Sequence, residues 1–137
     1  MPPVTSSRGS VRRQVTIDAP PDRVWELVGD PARLPEWFPG IVSAVVDGDE
    51  RVITTGAGLP MPERILTLDP LARRFQYRIT SPMFTEHLGT VDVLALDDGR
   101  SLVVYSTDAD PSVMALVIGG ASGAALECLR TTVEGSP

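Results

Sequence analysis

Glu63, Tyr77, His87 and Tyr105 are the side chains of this sequence best suited to moving protons inside an apolar space. A carboxylate, an imidazole and two phenols around one cavity support an aldol-type cyclisation or a dehydration. A base takes the proton next to a carbonyl and an acid protonates the leaving oxygen. Whether these groups share a cavity depends on strand parity. In "EHLGTVDVLAL", His87, Gly89, Val91 and Val93 fall on one face and Thr90 and Asp92 on the other, so inward-facing valines carry His87 inward with them. The same rule groups Phe75, Tyr77 and Ile79 against Gln76, Arg78 and Thr80, and Val103, Tyr105 and Thr107 against Val104 and Ser106. In "PERILTL" both faces are mixed. Parity therefore leaves Glu63 open, either inside with Ile65 or outside as a salt-bridge residue beside Arg78.

Each of these residues also has a plainer reading. An inward histidine serves as hydrogen-bonded structure or as a ligand anchor, and tyrosines at strand spacing serve as core with a satisfied hydroxyl. No activating partner for His87 can be named. Other motifs fail on spacing. "GAGLPM" lacks the third glycine of a dinucleotide fingerprint and precedes a strand, while "GGASGAA" lacks the G-x-S-x-G spacing of a nucleophile elbow. One cysteine, Cys128, and one histidine cannot build a Cys/His zinc cluster, so neither metal nor cofactor is expected. A net charge of −6 argues against nucleic acid as a partner. All twelve basic residues are arginine, the mark of a GC-rich genome, and a bacterial source is expected.

The elements that must position these residues follow from period and punctuation. The opening "MPPVTSSRGS", residues 1–10, reads as a disordered leader, 11–134 as one domain and 135–137 as a tail. No stretch reads as a signal peptide or as the ~20 apolar residues of a membrane span, so a cytoplasmic protein without stable membrane insertion is expected. "VRRQVTI" alternates as a strand. "PPDRVWELVGD" is a short amphipathic helix with Pro21 at its first position, and Asp30-Pro31 starts a second one that Pro35 cuts short. The chain must then turn at Trp37 and Phe38. Six further strands follow as antiparallel neighbours, and "SVMALVIGGASGAALECLRTTVE" forms one long helix. Its expected buried stripe is Val113, Val117, Ala124 and Cys128 with Met114, Ile118, Ala121, Ala125 and Leu129. Gly119, Gly120 and Gly123 within it point to close packing on the sheet or to room for a ligand.

The runs "VTIDAPPDRVWELVGDPARLPEWFPGI", "ERILTLDPLARRFQYRI", "GTVDVLALDDGRSLVVYS" and "LECLRTTVE" resemble the START-like helix-grip superfamily, also called SRPBCC. The similarity is greatest to its polyketide cyclase/dehydrase-like members and covers about residues 11–134. It implies an α+β helix-grip fold: a seven-stranded twisted antiparallel sheet wrapped around a long C-terminal helix, with two short helices between strands 1 and 2. It further implies an apolar cavity under that helix, with Glu63 and Ile65 inward and Tyr105 as a cavity aromatic. Trp37 and Phe38 then line or gate the mouth, or else plug the core. The expected ligand site is Trp37, Phe38, Ile65, Tyr77, His87, Val91, Val93, Tyr105, Met114 and Ile118. Three functions fit: binding of a small hydrophobic molecule such as a lipid, polyketide or aromatic; a polyketide cyclase or aromatase with His87, Tyr105 or Glu63 as catalyst; or an interaction protein with a filled cavity. Oligomeric state is left open.

Overall fold

The computed structural model describes residues 7–135. Residues 1–6 of the expected leader and 136–137 of the tail lie outside it. Strand β1 (Gly9–Ile17) is followed by α1 (Pro21–Val28), a 3-10 helix (Pro31–Glu36), β2 (Ile41–Asp47), β3 (Glu50–Thr55), β4 (Pro60–Asp69), β5 (Arg74–Ile79), β6 (Glu86–Ala95), β7 (Ser101–Asp110) and α2 (Ser112–Glu134). The strands form one sheet in the order β1-β7-β6-β5-β4-β3-β2, every neighbour antiparallel. This is the α+β helix-grip architecture.

Local chemistry sets the elements out. Pro21 opens α1, with Asp22 at its positive end. Asp30 caps the 3-10 helix through a 3.2 Å bond from the Ala32 N–H, and the internal Pro35 keeps that helix from settling into α geometry. β1 begins two residues earlier than expected, at Gly9, which pairs with Ala109. A side chain there would crowd α2, since a Cβ on Gly9 would stand 3.0 Å from the Ala115 Cβ.

The long helix turns a different face to the sheet than its largest apolar residues suggested. Ala115, Gly119, Ser122, Ala125, Leu126, Leu129 and Val133 are buried, whereas Val113 and Val117 are 56% and 59% exposed and Ala121 and Ala124 are also exposed. The cause is proximity. α2 lies so close on β1 that a Cβ at Gly119 would stand 2.4 Å from Val11 Cγ1, so in its N-terminal half small residues take the contact face and larger ones are turned out. Gly120, by contrast, meets nothing within 4 Å. By length and mean hydropathy (1.6), α2 is the one described helix apolar enough to cross a membrane, yet its C-terminal half packs Leu126, Leu129 and Val133 into the core. Each such side chain contributes ~1.5–3 kcal/mol of burial.

Candidate functional site

A cavity of about 290 Å³ lies on the concave face of β3 to β7, bounded by the aromatic corner after the 3-10 helix and by the middle of α2. Its wall is mostly apolar, with Leu34, Phe38, Ile53, Met61, Ile79 and Ile118 among the lining residues. Thr55, Glu63, Tyr77 and Tyr105 supply the polar side chains.

Glu63 is inside, 4% exposed, and its partner is Arg51 rather than Arg78. The Arg51 Nε–H donates to Glu63 Oε1 at 2.7 Å and its second nitrogen donates to the Pro31 carbonyl at 3.1 Å. The guanidinium carbon lies 5.2 Å from the ring centroids of both Phe75 and Tyr77, a cation–π contact on each. Strand pairing makes this possible, because Arg51 stands directly opposite Glu63 across β3 and β4. Burial raises the Glu63 carboxyl above the ordinary range, opposed by the Arg51 charge and hydrogen bond. Arg51 is absent from the residues that the sequence pattern points to. A signal was present, since Arg51, Ile53 and Thr55 share a parity and a charge on the apolar side of a strand implies a buried partner.

Tyr77 and Tyr105 meet hydroxyl to hydroxyl in a short hydrogen bond on the cavity wall. Burial pushes the Tyr105 phenol up to about 12, and burial followed by its neighbour Tyr105 raises Tyr77 well above its ordinary value. Both phenols therefore stay protonated at neutral pH. One hydroxyl donates to the other, and the second proton remains for a guest.

His87 is brought to the same face of the sheet but not to the cavity. Pairing of β5 with β6 ends at Tyr77–Gly89, and the next facing pair, Ile79 and His87, is bridged by a side chain: the Ile79 N–H donates to His87 Nδ1 at 3.0 Å. That bond leaves the neutral ring's proton on Nε2, which together with Thr107 Oγ1 is buried without a hydrogen-bond partner among the described residues. Burial lowers the imidazole pKa to about 4, partly opposed by Asp108. Tyr77 separates His87 from the cavity. Its ring lies over Gly89, where a Cβ would stand 2.5 Å away, and its centroid is 5.4 Å from that of His87. On its other side His87 borders an open cleft of about 470 Å³ between the splayed ends of β5 and β6, with Arg78, Thr80 and Glu86. The larger space is thus a polar, solvent-facing gap in the sheet, and the smaller one is the more apolar pocket.

The remaining expected residues divide. Phe38, Tyr77, Tyr105 and Ile118 line the cavity. Trp37 does not gate the mouth: it is 3% exposed and its ring packs 6.2 Å from both Phe38 and Tyr105. The indole plugs the core behind the wall, because the 3-10 helix turns it under the chain instead of toward solvent. Val91 and Val93 are buried in the core and, like the half-buried Ile65 and Met114 packed against it, do not reach the cavity wall. Among the described residues no group of three or more His, Cys, Asp or Glu is placed to hold a metal ion.

The sequence profile described as polyketide cyclase/dehydrase and lipid transport matches residues 8–134. The chain belongs to that family. No curated protein sequence matches. Among solved structures, one from Thermobifida fusca is 28% identical with a TM-score of 0.77, over 92% of this chain and 93% of that one. The protein XoxI from Bacillus cereus is 24% identical with a TM-score of 0.85, over 92% and 96%. The ZhuI aromatase/cyclase from Streptomyces sp. R1128 is 22% identical with a TM-score of 0.77, over 93% and 94%, a likeness of fold. For this family member the polar groups on the cavity wall are thus a carboxylate, two phenols and a threonine hydroxyl, with the histidine outside.

Proposed function

We propose that the protein binds one small, largely hydrophobic molecule in the cavity under α2. The observation that carries this reading is a largely apolar pocket of about 290 Å³ between the sheet and α2, where close-packed side chains would otherwise meet. At roughly 30 Å³ per water-sized group, it takes a ligand of about ten non-hydrogen atoms. Ala121 sits on the wall and is exposed at the surface, so Ala121→Trp fills the mouth without cutting into the core. Calorimetric titration with naphthalene should show binding to the parent protein and a loss of at least tenfold in Ala121→Trp, at unchanged melting temperature. Equal binding by both would place the guest elsewhere.

A second reading is an aromatase/cyclase-type reaction in the same cavity, supported by Glu63 and the Tyr77–Tyr105 pair on one wall and by the fold shared with the ZhuI aromatase/cyclase. Glu63 would act as the base and a phenol as the proton donor, with His87 outside the reaction. Under this reading Glu63→Gln lowers cyclisation of a trial poly-β-ketone by ~10² to 10⁴. Unchanged turnover would leave the carrier role alone.

A further inference from the structure

We infer that the cavity selects neutral molecules bearing a hydrogen-bond donor, received by the Glu63 carboxylate, and refuses carboxylates. This rests on the reading of the cavity as a ligand site and goes on to name the class of ligand. Three observations carry it. First, Glu63 is part of the cavity wall, and Arg51 occupies only Oε1; the carboxylate makes no other hydrogen bond among the described residues. An ionised carboxylate offers about four acceptor sites, so it retains capacity directed at a guest.

Second, none of the described residues on the wall is cationic. Arg51 stands behind Glu63, fixed by that carboxylate, by the Pro31 carbonyl and by two aromatic rings, and it is only 2% exposed. The pair is neutral as a unit. An incoming carboxylate would shed its water next to an existing negative charge with no free positive charge to meet it. Third, the Tyr77 and Tyr105 hydroxyls are largely committed to each other, so they offer an anion at most one proton. An alcohol, phenol or amine donor, by contrast, gains a bond to a charged acceptor in an apolar space.

The test compares naphthalene, 1-naphthol and 1-naphthoate at pH 7, three guests with the same ten-carbon frame. On the parent protein, calorimetry should rank 1-naphthol about ten- to a hundredfold tighter than naphthalene, and 1-naphthoate weaker than naphthalene. In Glu63→Gln the order should change: the naphthol advantage falls to several-fold, and naphthoate gains because Arg51 is left without its carboxylate. Should Glu63→Gln not fold, the ranking on the parent protein decides alone. Naphthoate binding as tightly as naphthol, or a naphthol advantage retained in full by Glu63→Gln, overturns this inference while leaving the cavity reading intact. Failure of naphthalene itself to bind removes the cavity reading and this inference with it.

Discussion

Glu63 and His87 are buried on the concave face of the same sheet, yet the fold treats them in opposite ways. Glu63 is paired with a buried cation and still touches an open space; His87 is held neutral, spends one nitrogen on a backbone N–H and touches only the gap between the ends of two central strands. Tyr77 stands between them, its ring covering Gly89 and its hydroxyl closing onto Tyr105. The concave face is therefore divided: one side holds a guest, and the other repairs a splayed ladder by putting an imidazole where a strand carbonyl would have been. A titratable residue on the right face of a strand is not for that reason in the site.

The largest effect that would break this comparison comes from the ion pair. Arg51→Met leaves a buried carboxylate without its counter-charge, and urea unfolding at pH 7 should show a loss of ~3–5 kcal/mol. Replacing both partners, Arg51→Met with Glu63→Leu, should restore most of it, since an apolar pair removes the uncompensated charge. A loss below about 1 kcal/mol in the single variant would mean that the pair is solvated and not part of an enclosed wall.

On the other side, His87 predicts a pH dependence with a fixed sign. Its folded pKa of about 4 lies below its ordinary 6.5, so the unfolded chain binds more protons between those values. The stability it permits is complete above pH 6.5 and is lost as pH falls toward 4, by at most about 3 kcal/mol. In His87→Gln, whose amide oxygen can still accept the Ile79 N–H, this part of the profile should flatten. An unchanged slope would show that the imidazole titrates freely in the cleft.

Smaller still is the partition itself. Tyr105→Phe removes one hydrogen bond at the Tyr77–Tyr105 contact and should cost ~0.5–1.5 kcal/mol in urea unfolding. The least change is expected from Trp37. In a Trp25→Phe variant, where Trp37 is the sole indole, iodide should quench emission little, because that ring is buried behind Phe38 and Tyr105. Strong quenching would return Trp37 to the mouth.

Much of the scaffold is legible in the one-dimensional pattern. Alternation in "EHLGTVDVLAL" and "SLVVYSTDA" places His87, Val91, Val93, Tyr105 and Thr107 on the buried side, as found. Turn residues locate the hairpins, and the paired prolines mark both short helices. Glu63 is ambiguous in sequence because both faces of its strand are mixed, Glu63 with Ile65 on one and Arg64 with Leu66 on the other, and its inward position follows from Arg51, twelve residues away in the chain but directly across the ladder. The face of α2 is only partly legible for a related reason: Ala125 and Leu129 of the expected stripe are buried, while Val113, Val117, Ala121 and Ala124 are exposed. Helical period shows that a stripe exists but not how closely the helix approaches, and at Gly119 the approach excludes a single methyl group.

The sequence by itself thus determined the order of the elements and the parity of most strands, because these follow from local dihedral preferences and from periods of two and 3.6, while the helix-grip class came from the resemblance of its runs to that superfamily. The tertiary structure alone decided which buried polar groups share a space. Local pattern fixes direction, toward or away from the core, whereas a cavity exists only where side chains from distant segments fail to close on one another. Here Phe38, Glu63, Tyr77, Tyr105 and Ile118 surround such a space, and the ring of Tyr77 over Gly89 keeps His87 out of it.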